Sequence, residues 1–142
     1  MTLRDDITRA VHEAGIEGFA FVRLTKWEPL LHRIAERFLM RGVSGLESVW
    51  MAEEFKNVVA TSHPADPLGY LREQLEAASE YWFIASDEHG KYWIADATGA
   101  AIVQTLGEMY CFEYYVVDRH LTWILCENHH GVFIKGVERG GG

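Results

Sequence analysis

Residues 110–137 read YCFEYYVVDRHLTWILCENHHGVFIKGV, and the fold turns on how this run is parsed. Aromatic and β-branched residues fill its interior, while Asp, Asn and Gly fall where the chain must reverse. The pattern predicts three consecutive strands closed by two tight turns, DRHL and NHHG. With Arg119 and His120 as a two-residue turn, Val117 pairs with Thr122, Tyr115 with Ile124 and Glu113 with Cys126. One face then carries Phe112, Tyr114, Val116, Leu121, Trp123 and Leu125, an apolar surface suited to packing under helices. The other carries Cys111, Glu113, Tyr115, Val117, Thr122, Ile124, Cys126 and Asn128, a mixed face of the kind a binding surface presents. In this register the two cysteines lie on a diagonal roughly 7–8 Å apart, beyond comfortable disulfide reach, so both are expected as free thiols.

Working outward, YWFIASD and KYWIADA flank Asp87-Glu88-His89-Gly90, a hairpin signal with Asp opening the turn and Gly closing it. A helix follows, capped by Asp96 or Thr98, with Ile102, Val103, Leu106 and Met109 inward. At the N-terminus Thr2 and Asp5 bracket a first helix whose apolar positions are Leu3, Ile7, Ala10, Val11 and Ala14, with Gly15 as its stop. GFAFVRL (18–24) predicts a short strand. A second helix is expected from near Trp27, with Pro29 in its first turn and Leu30, Ile34 and Phe38 as its stripe. Arg33, Arg37 and Arg41 recur beside that stripe and read as a solvated face. Residues 46–62 admit two readings, since Leu46, Val49 and Trp50 fit a helix whereas SVWMA (48–52) fits a short strand; the strand is the one favoured. Asp66-Pro67 opens a third helix with Leu68, Leu71, Leu75 and Ala78 buried. The fold expected is one α+β domain over 1–139, a mainly antiparallel sheet with helices packed on one face, and a flexible glycine tail at 140–142.

With 142 residues, 49% hydrophobic and 24% charged, the chain is long enough for one buried core. Its net charge of −8 argues against nucleic acid, whose phosphates demand a basic footprint, and favours a basic protein partner. The charged start MTLRDDITRA lacks a signal-peptide core, no apolar run reaches the roughly 20 residues of a membrane span, and two cysteines suit a reducing compartment. A cytoplasmic location is the expectation.

Chemistry concentrates in Cys126-Glu127-Asn128-His129-His130. A thiol, a carboxylate and two imidazoles in five residues are the raw material of a zinc site or of a nucleophile with its base. Strand alternation, however, sends Cys126 and Glu127 to opposite faces, so His129, His130 and Cys126 are weak zinc candidates that would need help from His120, His89 or Glu113. The other reading is a polar hairpin turn, with Asn128 bonded to its own backbone and Gly131 left-handed. Both stay open, no cofactor is expected, and the candidate binding residues are Glu113, Tyr115, His120, Cys126, Glu127, Asn128, His129 and His130.

The segment GEMYCFEYYVVDRHLTWILCENHHGVFI, with the upstream YWFIASDEHGKYWIAD, resembles a family of small bacterial proteins of unknown function that share an FEYY…W-x-L-CENHH ending. The resemblance implies an α+β domain and an important Glu127–His130 turn, with Gly131 standing where that pattern has an acidic residue. The hairpin and its aspartate-rich exit are similar, at the level of pattern, to SMI1/KNR4-like immunity proteins. The expected function is a non-enzymatic protein-binding module of immunity or antitoxin type. A metal- or thiol-dependent enzyme at CENHH is the alternative, and a homodimer through a sheet edge is a third arrangement.

Overall fold

A computed structural model describes residues 2–48, 51–87, 91–109 and 112–138. The expected glycine tail, the tip of the Asp87–Gly90 turn with His89, and Cys111 lie outside the described residues, as do Val49 and Trp50 of the expected SVWMA strand. The elements run α1 (Leu3–Glu13), β1 (Phe19–Phe21), α2 (Leu24–Phe38), two 3-10 turns (Gly42–Glu47 and Met51–Glu54), β2 (Val58–Ser62), α3 (Pro67–Gln74), β3 (Glu80–Ser86), β4 (Tyr92–Thr98), α4 (Gly99–Gly107), β5 (Tyr114–Asp118), β6 (Trp123–Glu127) and β7 (Phe133–Val137). All seven strands join one antiparallel sheet in the order β1-β4-β3-β5-β6-β7-β2. The α+β class, the single domain and the C-terminal meander are as the sequence led us to expect.

Helix boundaries follow local chemistry. Thr2 and Asp5 form a reciprocal capping box on α1, Asp66 accepts from the Gly69 N–H at the start of α3 with Pro67 behind it, and Thr98 rather than Asp96 caps α4 through the Ala101 N–H. α2 begins three residues before the expected position, which puts Pro29 in its second turn, and Arg23 at its N-cap supplies no side-chain bond. The amphipathic stripe of Leu30, Leu31, Ile34, Ala35 and Phe38 compensates by burial. The strand expected at 48–52 is corrected: Met51 and Ala52 belong to a 3-10 turn, and the β-branched run Val58–Ser62 forms β2 instead.

Two further corrections concern the sheet. The β5–β6 connection is four residues rather than two, so Val117 pairs with Ile124 and Tyr115 with Cys126. A slip of two preserves which side chains share a face, because side chains alternate with a period of two. Leu121 is the exception: held at φ 55° in the connection, it packs with the Tyr115 side of the sheet. Helices also cover both faces instead of one. On one side Ile84, Ile94, Tyr115, Val117, Ile124 and Cys126 pack under α2 and the 3-10 turns. On the other, Phe83, Ala85, Tyr114, Val116, Leu125 and Phe133 pack under α1, α3 and α4. Of the mixed face, Glu113, Tyr115, Val117, Ile124 and Cys126 are therefore buried while Thr122 stays exposed, and the large apolar side chains exposed among the described residues are Met40, Val58 and Val59. No described helix is long and apolar enough to cross a membrane.

Candidate functional site

The structure divides the eight candidate residues among three places. β6 runs between its two turns, so His120 lies at one end of the strand and Asn128, His129 and His130 at the other. Around His120 the turn is organised by Asp118, whose carboxylate accepts from the Thr122 N–H at 2.6 Å, the Trp123 N–H at 3.0 Å and the Thr122 hydroxyl at 2.7 Å. Next to it Arg119 stacks on the Trp82 ring at 3.8 Å and pairs with Asp96.

At the other end Asn128 accepts through Oδ1 from the His130 N–H at 2.9 Å and the Val132 N–H at 3.1 Å. Its own backbone closes the turn with Val132 and Gly131, and Gly131 takes φ 75°. Glycine, with no Cβ, takes this left-handed conformation without the strain that most other residues meet there. His129 and His130 are exposed with ring centroids 3.9 Å apart, and His63 comes close beside Gly131. Glu127 points to the α3 side, where its Oε1 accepts from the Tyr114 hydroxyl at 2.7 Å, while Cys126 is fully buried on the α2 side. Among the described residues no three His, Cys, Asp or Glu side chains are grouped to hold a metal.

Glu113, Tyr115 and Cys126 do meet, under α2 and together with Tyr92. The Tyr115 hydroxyl donates to Glu113, whose side chain is buried at 6% exposure. Burial raises the Glu113 carboxyl, Tyr115 and the Cys126 thiol, and pushes Tyr92 up to about 12. A thiol so enclosed stays protonated and out of reach, which suits a packing role more than nucleophilic attack. The Tyr92 hydroxyl has no hydrogen-bond partner among the described residues.

This cluster makes stability depend on pH. With its folded pKa raised, Glu113 holds its proton to higher pH in the native state than in the unfolded chain, so stability falls as pH rises from the ordinary carboxylate value of 4.5 through the raised one. Glu113→Gln is expected to flatten that fall and to leave the protein at least as stable at neutral pH. Tyr115→Phe strips the ionised carboxylate of its donor and is expected to cost about 2 kcal/mol at pH 7 and little at pH 4. Urea unfolding of the three proteins across pH 4–8 checks both, and a Tyr115→Phe cost independent of pH contradicts the assignment.

Two surface features escaped the sequence reading. One is a groove of about 770 Å³ where the end of α1 meets α3 and α4, lined by Ile16, Leu68, Leu75 and Val103 with Arg72 and Gln104. The other is the outer edge of β2, where Val58 and Val59 stand 51% and 53% exposed with no charged residue in the strand. The i, i+4, i+7 spacing of Leu68, Arg72 and Leu75 was the legible sign of the first, but it reads equally as an ordinary buried helix face.

A family of unknown function (DUF6756) matches the chain over residues 1–139. The match agrees with the resemblance to proteins without an assigned activity and carries no statement about the immunity-protein likeness. No curated protein matches, and no solved structure matches.

Proposed function

We propose that this chain, which belongs to the DUF6756 family of unknown function, is a non-enzymatic protein-binding module that receives a strand of a basic partner along β2. The observation that carries the reading is the edge itself. β2 ends the sheet, pairs only with β7, and presents Val58, Val59, Ala60 and Thr61 to solvent. An outer strand leaves a row of N–H and C=O groups able to template another chain, and proteins usually blunt such edges with charge or proline. Here a register irregularity at Val59 and the His63-Pro64 exit are the restraints, and VVATS carries no charge. The −8 net charge steers a basic partner toward the molecule. An immunity or antitoxin role is the biological setting that this chemistry fits, because such proteins hold a basic effector without transforming it.

Val59→Lys places a charge on the open edge at an exposed position, so the fold should stand while the interface fails. Affinity purification of the tagged wild-type chain from its native host is expected to recover a stoichiometric basic protein, and the variant to lose it by at least tenfold. Equal recovery by both sinks the edge assignment. Light scattering at two concentrations identifies the competing arrangement, a second copy paired through β2.

A further inference from the structure

We propose that the groove between α3 and α4 is a binding site for a small-molecule carboxylate carried on an apolar body. The site is distinct from β2, and the inference stands without the docking role given to that strand. Its walls are two helices lying antiparallel: Gly99 at the start of α4 comes close to Leu75 and Glu76, and Gly107 at its end faces Leu68. Leu68, Arg72 and Leu75 share one face of α3 and look across at Val103 and Gln104 on α4; Ile16 also lines the groove, from the segment that the Thr98 N–H to Gly18 carbonyl bond ties beside the start of α4. The volume of about 770 Å³ falls within the range of sites that hold drug-sized molecules, and an apolar lining with few polar groups is their usual make-up.

The ligand class follows from charge. In a chain of net charge −8 an anion approaches unfavourably unless a local cation receives it. Arg72 supplies one: like Arg4, Arg23 and Arg33 it has no carboxylate partner among the described residues, and of these it is the one that lines the groove. A guanidinium presents a planar fork that matches a carboxylate in two parallel hydrogen bonds, and the Gln104 amide stands on the facing helix as a second donor. The apolar body then extends from Arg72 toward Leu75, Val103 and Ile16. Glu108 lines the groove at the Leu68 end, one turn along α4 from Gln104, so its charge opposes a carboxylate there and the guanidinium of Arg72 has to offset it.

The test titrates the full ¹⁵N-labelled chain with octanoate, 1-octanol and octyltrimethylammonium and follows backbone amide shifts. Octanoate is expected to move the amides of residues 68–77 and 99–108 and to bind at least tenfold more tightly than the alcohol or the cation. Arg72→Gln should bring octanoate down to the level of the alcohol. Ala100→Trp, which fills the groove from an exposed position, should abolish binding of both without unfolding the chain. Octanoate shifts that are absent up to millimolar concentration or map elsewhere overturn the proposal, as does equal affinity for octanoate and octanol. An Arg72→Gln protein that binds octanoate as the wild type does overturns it too.

Discussion

Phe83→Ala is expected to remove about 3–5 kcal/mol of stability, roughly 10 °C or more of melting temperature, a large fraction of what a marginally stable domain possesses. Phe83 is fully buried under α1, α3 and α4. Its ring stacks on Tyr114 at 5.4 Å and meets Phe19 edge-on at 5.5 Å and Phe112 at 6.3 Å, so truncation leaves a cavity and removes one ring contact from each of three aromatics. The companion measurement is Ile84→Ala. Ile84 is the next residue, points to the opposite face, and is equally buried under α2. A sheet with one solvated face would show a large loss at one of these positions and almost none at the other. Losses of at least about 2 kcal/mol at both, by thermal or urea unfolding, are expected of a sheet covered on two sides. A negligible effect at either position contradicts the layering.

Gly99→Ala should also destabilise strongly, by about 3 kcal/mol, although helix propensity alone argues for a gain of about 1 kcal/mol. Gly99 opens α4, and its N–H donates to the Ser79 carbonyl at 2.9 Å while the Ala100 N–H donates to Ala77 at 3.0 Å. A Cβ at this position would drive into the backbone carbonyl of Glu76, with the carbonyl carbon only 2.9 Å away. Backbone cannot swing aside as a side-chain tip can, so the connection between α3 and β3 must move. Gly107→Ala on the same helix is the control. Its Cβ would meet only the Leu68 Cδ1 at an ordinary 3.8 Å, and the substitution should be neutral or mildly stabilising. Two glycine-to-alanine changes in one helix with opposite signs in calorimetry would separate close approach from propensity; the same sign in both would refute the packing of Gly99 against Glu76.

Much of the fold was legible because it rests on local chemistry. The caps at Thr2, Asp66 and Thr98 and the period-two pattern of β3 to β6 are properties of neighbouring residues. The turn at Asn128–Gly131 was legible for the same reason, since a side chain bonding its own backbone and a left-handed glycine need no distant partner. The β5–β6 register was not, because Leu121 adopts an unfavourable φ to gain burial beneath α2, and that reward lies 84 residues away at the level of the Arg37 contact with its carbonyl.

For the candidate residues the sequence determined type and spacing: which side chains alternate, and that Cys126 and Glu127 part to opposite faces. Only the tertiary structure decided their surroundings. It sealed Glu113, Tyr115 and Cys126 beneath α2, left His129 and His130 in solvent, and brought α3 beside α4 to enclose a groove around Arg72. The physical reason is that strand alternation is fixed by covalent geometry within a few residues. Whether a face is dry or wet depends on which helix packs against it, and so on contacts between segments far apart in the chain.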